Sequence, residues 1–196
     1  MVRLADPVLA TRRRSEIMAA ALACFRRRGF HQATMNEICA EAVISACALY
    51  RYFSSEAEII SAIAEDERSA HQNPFENVGA GRSLIDGLCT LADGFFRRVE
   101  GGDGPLIAEI LAEAMREPAM AAIAARIAAR SSGLFETALR AAQARGEVDP
   151  RLDPREAAET MFAAIEGIGL RRAILNDNSD ALTQFRTLAE RYLAPR

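Results

Sequence analysis

ATMNEICAEAVISACALYRYFSSEAEII, residues 33–60, decides the fold of this 196-residue chain. Thr34 and Glu37 have the spacing of a capping box: the threonine hydroxyl accepts a free N–H at a helix start, and the glutamate reaches back to the cap. Met35, Ile38, Cys39 and Ala42 follow at helical spacing, so one face of that helix is apolar. Val43 and Ile44 are poor material for a solvated helix face, and Ser45 is a favoured N-cap for a fresh start. The second helix, from Ala46 to about Tyr52, is very short. It buries Leu49 and Phe53 and carries Tyr50, Arg51 and Tyr52. Ser55 and Glu58 repeat the capping-box spacing and open a longer helix through Ile59, Ile60 and Ile63. Two short helices joined by a tight turn form a helix-turn-helix, whose second helix fits a DNA major groove.

The run TMNEICAEAVISACALYRYFSSE, residues 34–56, resembles the DNA-binding signature of the TetR family of bacterial transcriptional regulators. That signature is roughly T-x-x-x-I-A-x-x-A-G-V-S-x-G-x-L-Y-x-[YH]-F-x-S-K. Thr34, Ile38, Ala42, Ser45, Leu49, Tyr50, Tyr52, Phe53 and Ser55 match it. Among the departures, Val43 stands at the turn glycine, Cys47 at the recognition-helix glycine and Glu56 at the usual lysine. The resemblance implies that Thr34 and Arg51 meet phosphate while Ala46, Cys47, Ala48 and Tyr50 face base edges. Ser45 and Tyr52 complete the implied DNA-binding set. It further implies a homodimer built through the last two helices, and a C-terminal cavity whose small-molecule effector changes the spacing of two DNA-binding heads. Repression of transcription is the family expectation.

Composition agrees with a cytoplasmic, all-α protein. Half the residues are hydrophobic, yet no run of about 20 apolar residues suggests a membrane span. The N-terminus lacks the apolar segment and small-residue cleavage site of a secretory signal. All 24 basic residues are arginine, a coding bias that carries little functional weight. The net charge of −3 is uneven: residues 1–60 hold eight arginines against six acids, and the rest hold sixteen against twenty-one. A mildly basic head on an acidic body suits DNA contact by one end. Cys24, Cys39, Cys47 and Cys89 have no metal-binding spacing, and His31 and His71 stand far apart.

In chain order, residues 1–11 suggest a flexible leader, 12–72 the DNA-binding domain and 73–196 a helical ligand-binding and dimerisation domain. Ile17, Ala20, Ala21, Cys24 and Phe25 form the first helical stripe, closed by Arg26–Arg28 and Gly29. Arg12, Arg13 and Arg14 lie at a helix start, where the dipole does not favour cations, so a phosphate contact and a solvated charge run are both open. After a break at His71–Gly81, stripes recur from Ser83 to Tyr192, for about nine helices in all and no strand. Gly167 and Gly169 sit mid-helix, where each costs about 1 kcal/mol relative to alanine, which suggests close approach of another backbone. The dimer set is then Phe162, Ile165, Ile168, Gly169, Leu182, Phe185 and Leu188.

No catalytic constellation stands out: G-x-S-x-G, a Walker loop and H-E-x-x-H are missing, and neither a cofactor nor a metal is expected. Glu109 and Glu113 at i,i+4 have the pattern of solvated helix carboxylates. For the effector cavity that the family implies, the candidate wall is Phe95, Phe96, Met115, Phe135, Met161 and Phe162. A second reading remains open: a helical ligand- or partner-binding protein in which Val43, Cys47 and Glu56 have weakened DNA affinity.

Overall fold

Most helix ends fall where the sequence punctuates them. The computed structural model describes residues 7–70, 75, 83–177 and 179–195, with side chains for all of these except 7, 8 and 64–70. Among the described residues lie α1 (Pro7–Arg28), α2 (Met35–Glu41), α3 (Ala46–Tyr50), α4 (Glu56–Ala70) and α5 (Leu84–Arg98). A kink within Val99–Asp103, where Gly102 takes φ +100, leads to α6 (Gly104–Ala114), α7 (Pro118–Ala144), α8 (Pro154–Leu175) and α9 (Ala181–Leu193). No strand occurs among the described residues, as the all-α expectation requires.

The leader expected over 1–11 overlaps α1. Residues 7–11 are the start of α1, because Pro7 takes the first helical position, where a missing N–H is no loss. Residues 1–6, His71, Gly79 and Gly81 lie outside the described residues.

Two compact units form. The first comprises the chain to Ala70 together with Pro105–Ala124. Its core gathers Ile17, Ala21, Cys24 and Phe25 of α1, Ile38 of α2, Leu49 of α3, Phe53, and Ile59 and Ile60 of α4. Leu106 of α6 and Met120 of α7 complete the same core, so the helix-turn-helix packs with a segment far along the sequence.

Two carboxylates reinforce that junction. Glu109 accepts from the backbone N–H of Phe30, and Glu113 meets Nε2 of His31 at 3.1 Å. Their spacing suggests solvated carboxylates, but each holds the loop that follows α1. Gly29 ends α1 with φ +82, and a Cβ there would sit 2.7 Å from Glu109 Oε1. The left-handed backbone is what favours glycine at that position, since the Glu109 carboxylate is the end of a flexible side chain that can give way.

The second unit comprises His71–Gly104 and Ala125–Arg196. Its core layers Leu88, Ala92 and Phe96 of α5, Phe135 and Leu139 of α7, Met161 and Ile165 of α8, and Phe185 and Ala189 of α9. Asp153 caps α8 ahead of Pro154, and Asp180 caps α9 through the N–H of Thr183. Arg186 of α9 donates to Asp86 of α5 at 2.9 Å, and Arg172 of α8 reaches Glu100 at 3.1 Å. None of the helices among the described residues is long and apolar enough to cross a membrane.

Candidate DNA-binding surface

The caps that create the helix-turn-helix are formed as their spacing dictates. Thr34 Oγ1 accepts from the Glu37 N–H at 3.3 Å, and the Thr34 N–H donates to Glu37 Oε2 at 3.0 Å. That backbone bond is the main cause holding the Glu37 carboxyl below its ordinary pKa, with Arg28 adding to it. Ser45 Oγ accepts from the Ala48 N–H at 3.2 Å and starts α3. The capping box expected at Ser55 and Glu58 closes differently. Ser55 Oγ accepts from the Glu58 N–H, but the Glu58 carboxylate takes the N–H and hydroxyl of Ser54, at 2.7 and 2.8 Å. Ser54 offers two donors where the Ser55 backbone offers one, and these bonds hold the Glu58 carboxyl below its ordinary pKa.

Helix α3 is short, ending at Tyr50, with Arg51 as its C-cap. Five residues cannot sustain a helix alone. Tertiary contacts set its position: Leu49 and Phe53 are fully buried beneath it, and Tyr52 packs half-buried against the same core. Arg14 fastens its far end, donating from Nη1 to the Tyr52 carbonyl at 3.1 Å with its guanidinium 4.2 Å from the Phe53 ring centroid. With α1 starting at Pro7, Arg12, Arg13 and Arg14 lie past its first turn, and Arg14 is a structural clamp. Arg12 and Arg13 both pair with Glu16, at 3.0 and 2.8 Å. Arg27 and Arg28 tie the end of α1 to α2 through Glu41 and Glu37, at 2.7 and 3.1 Å.

This anchoring leaves one face of the motif in solvent. Ser45, Ala46, Cys47, Tyr50 and Arg51 are exposed, as is Thr34 at the start of α2, while Ala48 and Tyr52 are half-buried. Residues 45–52 of the expected DNA-binding set are thus brought together on α3 and its flanks. Cys47 is the exposed thiol; Cys24, Cys39 and Cys89 are buried, and burial pushes the Cys24 and Cys89 thiols up.

Val43 is the one strained residue of the motif. It adopts φ +53 and is 88% exposed, so it holds a left-handed turn without compensating burial. A β-branched residue there costs about 1–2 kcal/mol. Val43→Gly is expected to raise the free energy of unfolding by about 1 kcal/mol, once the extra chain entropy of glycine is subtracted. Urea unfolding of the two proteins measures it; a destabilised glycine variant would show that the turn carries no such strain.

Five of the six residues named for an effector cavity lie in or against one packed core. Phe96, Phe135 and Met161 are buried, and Phe95 and Phe162 half-buried, in the core of the second unit. Phe135 and Phe162 meet edge-on with centroids 6.3 Å apart, and Phe95 and Phe96 at 6.4 Å. Met115 does not belong with them. It lies in the turn past the end of α6 and is 83% exposed, because the helical stripe it continued has already stopped at Ala114.

The expected dimer set divides in the same way. Ile165, Gly169 and Phe185 are buried inside the second unit, so their side-chain positions already have intramolecular partners. The close approach at Gly169 is made by α5: a Cβ there would lie 2.8 Å from Cε1 of Phe95. Gly167 faces open space. Phe162, Ile168 and Leu182 are half-buried and Leu188 is exposed. Ile174 and Leu175, at the end of α8, are exposed as well, although stripe periodicity places Ile174 with the core.

Residues 17–63 match the family described as bacterial regulatory proteins, tetR family, and residues 106–195 match the C-terminal domain of BetI-type transcriptional repressors. The HTH-type transcriptional regulator UidR of Escherichia coli strain K12 is 28% identical over 159 residues, spanning 79% of each chain. The solved structure of Salmonella enterica GusR is similar over 97% of this chain and 98% of its own, with TM-score 0.78 and 27% identity. FadR from Bacillus subtilis, solved in complex with stearoyl-CoA, shares the fold at TM-score 0.74 and 16% identity, over 90% and 95% of the two chains. Signature, anchored α3 and family matches at both ends of the chain agree: it belongs to the TetR family and is a transcriptional regulator that binds DNA through this helix-turn-helix.

Proposed function

We propose that the protein is a cytoplasmic homodimeric repressor, released from a near-palindromic operator by a small molecule taken into the second unit. The observation that carries the proposal is the α3 face itself: a helix too short to stand alone is capped, clamped by Arg14 and seated on a core, with Tyr50 left 56% exposed. Such rigidity around an uncommitted surface serves a ligand outside the chain. A two-fold dimer would place two α3 helices about 34 Å apart, one DNA turn. Thr34 and Arg51 then meet phosphate, with Ser45, Ala46, Cys47, Ala48, Tyr50 and Tyr52 in or beside the groove.

The dimer is proposed through the outward faces of α8 and α9, where Gly167, Ile174, Leu175 and Leu188 are exposed beside half-buried Phe162, Ile168 and Leu182. The effector is proposed to enter beside half-buried Phe95 and Phe162, displacing packing around Phe96, Phe135 and Met161. A protein of the same fold was solved in complex with stearoyl-CoA, which supports a small-molecule effector here. Helix α7 contributes Pro118–Ala124 to the first unit and its remainder to the second. Gel shift with DNA from upstream of its own gene, together with the mass in solution by light scattering, tests the proposal. A monomer, or a dimer that retards no upstream fragment, would overturn it.

Glu56 supplies a second measurable consequence. It opens α4, where its charge suits the helix N-terminus, yet the family usually places a lysine there beside phosphate. Glu56→Lys is expected to tighten both specific and non-specific binding and to steepen the slope of log K against log salt by ~0.9 for each additional phosphate neutralised. Affinity across a salt series reads the slope. An unchanged slope would place residue 56 away from the DNA backbone.

A further inference from the structure

The exposed face of α3 is chemically unusual for a reader of bases. Its side chains are those of Ala46, Cys47 and Tyr50, with Ala48 half-buried beside them. Guanine is read by the paired donors of arginine or lysine, adenine by asparagine or glutamine, and cytosine by a carboxylate. None of those residue types occurs from Ser45 to Tyr50. The nearest cation, Arg51, is the C-cap, and its guanidinium lies 5.7 Å from the Tyr52 ring centroid. The Ser45 hydroxyl accepts from the Ala48 N–H, which commits one lone pair and leaves its O–H able to donate.

We infer that this head selects its operator chiefly through thymine methyl groups packed against Ala46 and Cys47, with the hydroxyls of Ser45 and Tyr50 as the hydrogen-bonding side-chain groups of α3 and its cap. The inference rests on the reading of α3 as the helix that enters the groove. Pressing a methyl or thiol against a base edge strips that edge of water and returns no hydrogen bond, which penalises a donor or acceptor placed there. The C5-methyl of thymine is the apolar group that a major groove presents. It alone gains from such a neighbour. The preferred half-site is therefore one with T·A pairs opposite residues 46 and 47, chosen as much by exclusion of G·C pairs as by attraction.

The experiment starts from selection of bound duplexes out of a random-sequence pool with the full-length protein. Enriched half-sites carrying thymine at two or more central positions are expected. Each thymine is then replaced by deoxyuracil, which removes the methyl and keeps every hydrogen-bonding group. Loss of about fourfold in affinity per contacted methyl is expected, the value of one buried carbon. In Cys47→Ser, a near-isosteric change, at least one of those positions should lose its sensitivity to the methyl while the others keep theirs. Half-sites with invariant G·C at the central positions, or operators indifferent to every uracil replacement, would overturn the inference while leaving the repressor reading intact. Failure to enrich any sequence would overturn both.

Discussion

Phe185→Ala is expected to lower the free energy of unfolding by about 3–5 kcal/mol, the usual loss for a fully buried phenylalanine. Phe185 is completely enclosed in the core of the second unit, in company with Leu88, Phe96, Met161 and Ile165. Its place on the α9 stripe suggests a dimer seam, but a seam residue would retain exposure in a single chain, and this one has none. The loss should therefore appear in the urea midpoint. Leu188, exposed on the same helix, provides the contrast: Leu188→Ala should leave the unfolding of the isolated chain near wild type and weaken association. Light scattering and urea titration at several protein concentrations separate the two. A Phe185→Ala protein with a wild-type midpoint and a monomer mass would return Phe185 to the interface.

Tyr50→Ala should be the most damaging single change for operator recognition that leaves folding intact. The side chain is more than half exposed, and the burial beneath α3 is supplied by Leu49 and Phe53, so stability should barely move. A base-reading contact contributes about 1–3 kcal/mol, and a dimer loses it at both half-sites. Non-specific affinity depends on phosphate charges that the change does not touch. Specific binding should thus fall by orders of magnitude while binding to unrelated DNA stays near wild type. Equal losses on both DNAs would show that Tyr50 does not read bases.

Much of the fold is legible in the sequence because the decisive chemistry is local. A cap needs only residues three apart, so Thr34, Glu37 and Ser45 announce their hydrogen bonds in sequence. The box at Ser55 closes on Ser54 instead, since periodicity does not count the donors available one residue earlier. Stripes announce that a face is buried without naming its partner. They therefore point Phe185 and Gly169 towards a second chain, when α5 of the same chain covers them. Glu109 and Glu113 are illegible for the same reason: their partners Phe30 and His31 lie some eighty residues away. Met115 misleads differently, as a helical stripe extrapolated one residue past the helix.

The junction of α6 and α7 with the head also governs when that head can finish folding. Residues 7–70 leave the ribosome first, yet Leu106 and Met120 belong to their core, and Glu109 to the loop at Phe30. At about 5–20 residues per second, the stretch from 70 to 124 delays that closure by roughly 3–10 s. During this interval the nascent head lacks part of its apolar cover. A gene fragment ending at Ala70 would make the same incomplete object permanent. Transplanting this DNA specificity onto another regulator's body therefore means grafting α3 residues rather than the N-terminal segment.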